Sequence, residues 1–133
     1  MDFMQPDKNV RRLVKDIRAK NYEKFKKAKI VILMRLGKWD KWGTMQRVSK
    51  KMRQAGVDGD YILTLNGDAW PEMSDKQRKA LVDHELYHMA RKKTKYGVQF
   101  KLRDHDVEEF TEIVKRYGAW RPSLQALKEV LSK

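Results

Sequence analysis

The stretch Ser74–Lys93, SDKQRKALVDHELYHMARKK, runs for five helical turns without a glycine or a proline, and it limits what the rest of the chain can build around it. Pro71 breaks the chain just before it. Ser74 is a good N-cap and Gln77, three residues on, completes a capping box, so a helix is predicted from about residue 75. Arg91, Lys92 and Lys93 suit the negative pole of a helix dipole and extend the prediction to about Lys93. Val82, Leu86 and Met89, at i, i+4 and i+7, mark the face that a sheet has to cover. Turned away from that face are His84 and His88, which with Glu85 spell H-E-x-x-H.

Positions i and i+4 of a helix lie one turn apart on one face, so the imidazoles of His84 and His88 aim at one point. Glu85 sits about 100° round the helix, where its carboxylate reaches a water on a metal ion rather than the ion itself. A catalytic zinc site needs three protein ligands and one open position. Zinc lowers the pKa of its water from about 15.7 to about 7, within reach of a glutamate acting as base. With this composition the pattern arises by chance in roughly 0.3% of such chains. Zinc is the expected cofactor, although the spacing also suits other divalent metals. Ordinary helix histidines and a purely structural zinc site are the alternatives. The third ligand is sought downstream in RDHDVEEF, where His105 is the last of only three histidines. Asp106 reads as an N-cap with Glu109 as its capping-box partner, and Glu109 is the fallback ligand. Leu81 falls on the histidine side, as a wall of the site or as core, and Tyr87 reads as a packing residue on the flank.

Elsewhere the periodicities alternate. Asp7 caps a predicted basic helix over about 8–27, with Val10, Leu13, Val14 and Ile17 on one face. Ile30–Met34 reads as a buried strand ended by Gly37. Trp42, Thr44, Gln46 and Val48 fit a second strand, whereas 45–54 also fits a helix. Tyr61–Leu65 is the clearest strand, with an edge where an extended peptide adds or, on the plainer reading, an ordinary place in the sheet. Residues 96–103 read as a short strand or hairpin arm opened by Gly97. A helix over 107–118, closed by Gly118, and a tail helix over about 122–132 complete an α+β pattern in a single domain spanning 1–133.

The chain has 133 residues and a net charge of +13, which falls unevenly. Residues 1–53 hold 17 Lys and Arg against 5 Asp and Glu, while residues 54–133 hold 14 against 13. That asymmetry points to nucleic acid as a partner through the basic N-terminal half, with Lys24, Lys26, Lys27 and Lys29 as candidate contacts, or else to a well-solvated lysine-rich surface. Trp39 and Trp42 nearby stack on bases in the first case and pack in the second. There is no cysteine, which excludes disulfides and thiolate metal sites. No run is long enough for a membrane span, and the absence of a signal-like segment leads us to expect a cytoplasmic protein. The oligomeric state is left open.

The blocks DYILTLNGDAWPEMSDKQRKALVDHELYH and RDHDVEEFTEIVKRYG make the chain resemble the putative phage metallopeptidase family, small zincin-like proteins of phage and prophage genomes. The resemblance covers residues 8–118, and more distantly the chain is similar to SprT-like minimal zincins. It implies a small zincin-like domain in which a short mixed or antiparallel sheet packs on the H-E-x-x-H helix. It also implies His84 and His88 as zinc ligands, Glu85 as base, and His105 as the counterpart of the histidine in the family's second block. The implied function is zinc-dependent hydrolysis of a protein or peptide, in the host cytoplasm if the protein is phage-encoded. A basic nucleic-acid-binding or host-takeover protein, with a structural or vestigial metal site, is the competing reading.

Overall fold

The computed structural model describes residues 2–103 and 111–120. In chain order the elements are β1 (Asp2–Met4), α1 (Lys8–Asn21), β2 (Ile30–Leu36), β3 (Gly43–Arg47), α2 (Lys50–Gln54), β4 (Tyr61–Asn66), α3 (Asp75–Tyr87), β5 (Met89–Thr94), β6 (Gly97–Leu102) and α4 (Thr111–Tyr117). Four strands form one sheet in the order β1-β2-β4-β3, and β5 and β6 form a separate two-stranded ribbon. The β2–β4 pair is parallel, from Ile30 against Tyr61 to Arg35 against Asn66, and the other pairs are antiparallel. This is the α+β arrangement expected of a small zincin-like domain, a mixed sheet with α3 packed between α1, α4 and β3.

Local signals account for most element starts. The Asp7 carboxylate accepts from Val10 N at 2.9 Å and opens α1, whose Val10, Val14 and Ile17 are buried. Ser74 and Gln77 form the reciprocal capping box that opens α3. Tyr61, Leu63 and Leu65 alternate on the buried face of β4 and meet Ala80, Val82 and Leu86 in one core. Gly43 lets the helix come close: a Cβ there would stand 3.3 Å from Leu81 Cδ1 and 3.2 Å from the Thr64 carbonyl. Leu81 is accordingly core against β3.

Several boundaries differ from the sequence reading. α1 ends at Asn21, followed by a 3-10 turn over Glu23–Phe25, so the helix does not reach residue 27. The ambiguous 42–54 segment is a strand and then a helix, because Ser49 caps α2 by accepting from Met52 N. β4 is an inner strand, hydrogen-bonded on both sides, so it offers no edge for an added peptide; β1 and β3 are the edges. The largest change is at the end of α3, which stops at Tyr87 rather than Lys93. Residues 89–94 pair with 97–102 instead, around a turn in which the Thr94 hydroxyl donates to the Gly97 carbonyl at 2.8 Å and Gly97 takes φ +116°. The Tyr61 hydroxyl reaches the carbonyls of Lys101 at 2.8 Å and Ala90 at 3.2 Å, latching the ribbon to the sheet. Backbone pairing thus overrides the good helix propensity of Arg91, Lys92 and Lys93. The expected tail helix at 122–132 lies outside the described residues.

Candidate metal centre

Seven consecutive residues of α3, Ala80–Leu86, are buried, and three of them are polar: Asp83, His84 and Glu85. Buried polar groups have to be satisfied, and here they fall into two sets. The first is the H-E-x-x-H set. His84, Glu85 and His88 each offer a ligand atom, and these atoms all lie within 4.8 Å of one another. His84 Nε2 is 3.6 Å from Glu85 Oε1 and His88 Nε2 is 4.0 Å from Glu85 Oε2. The two imidazoles meet edge to face, centroids 5.3 Å apart. His84 is 3% exposed and the His88 side chain 18%.

His88 is the C-cap of α3 and the last residue before β5, so one residue ends the helix and starts the ribbon. Its Nδ1 lies 2.7 Å from the Arg103 carbonyl, and its own carbonyl accepts from the Arg103 amide. A carbonyl only accepts, so Nδ1 carries the proton and, in the neutral ring, Nε2 keeps its lone pair on the side of His84 and Glu85. A hydrogen bond of this kind fixes the tautomer and raises the basicity of a metal-binding histidine. The donor set therefore fits a divalent metal: a buried and a half-buried imidazole, the latter held in the ligating tautomer, beside a buried carboxylate.

The second set is centred on Asp83, which is fully buried. Its carboxylate accepts from Arg116 Nη1 at 2.7 Å, Tyr117 OH at 2.9 Å and Asn21 Nδ2 at 3.0 Å, and also from Tyr22 OH. One residue before His84, it ties α3 to the end of α1 and to α4. Burial first, and then the Asp83 charge and hydrogen bond, raise the pKa of both Tyr22 and Tyr117 well above the ordinary phenol value. The sequence reading missed Asp83. Its only local signal is an acid on the stretch that also carries the core positions Val82 and Leu86.

The aromatic residues sort themselves by contact. Trp120 packs against His84, centroids 5.9 Å apart, and against Trp42 at 5.8 Å. Trp39 lies under the Arg35 guanidinium. Tyr87 packs edge to face on Tyr22 and beneath the Arg103 guanidinium, on the flank as expected. Of the four lysines singled out, Lys29 pairs with Asp58 at 3.1 Å and Lys26 stands 3.8 Å from Glu23, while Lys24 and Lys27 are exposed. His105 and Glu109 lie outside the described residues.

With this geometry in view, the sequence pattern of the Putative phage metallopeptidase family matches residues 1–130. The chain belongs to that family. Comparison with curated proteins gives no significant match. Membership in a metallopeptidase family implies a metal ion and a protein or peptide substrate, and the His84–Glu85–His88 cluster is a group suited to such an ion. Among the described residues no helix of this metallopeptidase-family chain is long and apolar enough to cross a membrane.

Proposed function

We propose that the protein is a zinc-dependent peptidase in which His84 and His88 are ligands, His105 is the third ligand with Glu109 as the alternative, and Glu85 is the general base. The observation that carries this reading is the convergence of the two Nε2 atoms on the Glu85 carboxylate, with His88 Nδ1 committed to the Arg103 carbonyl. His84 and His88 would hold the zinc, which when bound would supply Lewis-acid polarisation of a water and of the scissile carbonyl.

The chain's own residues supply the rest. Glu85 accepts the proton of the attacking water on its carboxylate and returns it to the leaving amine nitrogen, so one group serves as base and then as acid. Burial of Glu85, 3% exposed, excludes bulk water from that transfer. His88 does not take part in proton transfer through Nδ1, since that N–H is donated to the Arg103 carbonyl. Trp120 and Trp42 wall the His84 side with apolar surface. Because β4 is inner, a peptide that adds as a strand has to use an edge, and β3 is the edge strand that packs on α3.

The test combines metal content with hydrolysis of an unfolded protein substrate. We expect about one zinc per chain by mass spectrometry, lost in His84→Ala and in His88→Ala. Glu85→Gln is expected to keep the zinc and lose about 10²- to 10⁴-fold in rate. His105→Ala is expected to lose zinc; full retention would move the third ligand to Glu109. A wild-type protein that takes up no metal, or a Glu85→Gln variant as active as the wild type, overturns the proposal.

A further inference from the structure

The β5–β6 ribbon carries a run of cations with no acidic residue among them. Residues 86–103 contain Arg91, Lys92, Lys93, Lys95, Lys101 and Arg103, and no Asp or Glu. Among the described residues no ion pair joins any of these six to a carboxylate. Arg91, Lys92 and Lys93 are exposed, and register divides them: Arg91 and Lys93 face one way, Lys92 with Lys101 the other. Tyr96, 87% exposed, stands at the tip beside Lys95.

At the root of the ribbon is a cleft of about 320 Å³ between the end of α1 and Arg103. Lys20, Lys24 and Arg103 line it together with Tyr87, Phe25 and the Asp83-paired Arg116, and among the described residues its one acidic member is Glu23. The cleft and the ribbon are continuous through Arg103. Lys24, from the basic N-terminal half, therefore belongs to the same surface as the ribbon, although 67 residues separate it from Arg91 in sequence.

We propose that the β5–β6 ribbon, with the basic cleft at its root, is a docking surface for duplex DNA. The dimensions favour a duplex. A two-stranded antiparallel ribbon is the sheet element that the roughly 12 Å wide major groove admits, and six paired residues give it about 20 Å of length. Lys92 and Lys101 lie on the opposite face from Met89 and Phe100, which pack on the core, while Arg91 and Lys93 are exposed on the same face as those two. A membrane surface fits less well. The exposed Val98 lies opposite Lys93, and Leu102 shares that face with Arg91, so no apolar face is free of cations.

The test is binding, which needs neither the metal nor peptidase activity, so it stands or falls separately from the catalytic proposal. The full chain is titrated with a fluorescent mixed-sequence duplex by anisotropy over a range of salt. The triple variant Arg91→Gln/Lys92→Gln/Lys93→Gln is compared with Lys8→Gln/Arg12→Gln/Lys15→Gln, which removes the same charge from exposed positions on α1. The ribbon triple is expected to lose at least about 30-fold in affinity and to flatten the salt slope by about 3, whereas the α1 triple changes affinity by less than about threefold. If the ribbon triple fails to fold, judged by circular dichroism, the three single variants replace it, each expected to flatten the slope by about 1. Equal losses in both triples, no duplex binding at low salt, or ribbon-dependent binding to phosphatidylserine vesicles in place of duplex overturns the proposal.

Discussion

A carboxylate taken out of water costs several kcal/mol unless charges and donors surround it, and Asp83 is surrounded by four side chains from two segments. Asp83→Asn keeps the shape but leaves the Arg116 guanidinium without its counter-charge. The expected loss is about 3 kcal/mol, at the lower end for a buried pair because Arg116 is 30% exposed and can rehydrate. Tyr22→Phe removes one donor from the set and should cost about 1 kcal/mol. Urea unfolding measures both, and an Asp83→Asn variant as stable as the wild type would contradict the clamp. His84 and His88 were legible because their spacing alone implies chemistry. Asp83 was not, since its meaning lies in Asn21, Tyr22, Arg116 and Tyr117, brought to it only by the packing of α1 and α4.

Elements announced themselves where a local device starts them and were misjudged where pairing between segments ends them. The Asp7 cap, the capping box at Ser74 and the alternation in β4 are local, and α1, α3 and β4 start where expected. The end of α3 is set by the β5–β6 ladder and by the Tyr61 latch, neither of which a basic run reveals. The latch has a pH signature. Burial, with the Asp60 charge adding to it, pushes the Tyr61 pKa up to about 12. A raised folded-state value means that this stabilisation is intact below the ordinary tyrosine value near 10 and is lost as pH rises through about 12. Melting temperature should therefore fall more steeply between those limits in the wild type than in Tyr61→Phe; parallel curves would exclude Tyr61 as the titrating group. The seat of α3 on β3 is tested by Gly43→Ala. Its Cβ crowds Leu81 and the Thr64 carbonyl, and the expected cost is about 1–2 kcal/mol in unfolding free energy.

At the scale of the whole molecule, charge and metal are the two quantities that the sequence averaged away or left open. Splitting the chain near residue 53 makes the remainder look nearly neutral, because the cationic ribbon is cancelled by acids on either side of it in sequence. In the fold that ribbon is a separate two-stranded unit, so its charge is not diluted. The metal couples the same parts. His84 sits in the last turn of α3, while the ligating form of His88 depends on Arg103, which the β5–β6 pairing brings back to the root of the ribbon from fifteen residues on. The unfolded chain does not assemble that set, so zinc in the proposed site binds the folded state and stabilises it by mass action. At a free concentration a hundredfold above Kd the gain is about 2.7 kcal/mol, equivalent to roughly 10 °C in melting temperature for a chain of this size. Chelation should therefore lower the wild-type Tm by about that amount and added zinc should restore it. His84→Ala should melt at one temperature with or without zinc. A wild-type Tm indifferent to both chelator and zinc would separate the fold from the metal and leave His84 as a buried polar residue and His88 as a half-buried helix cap.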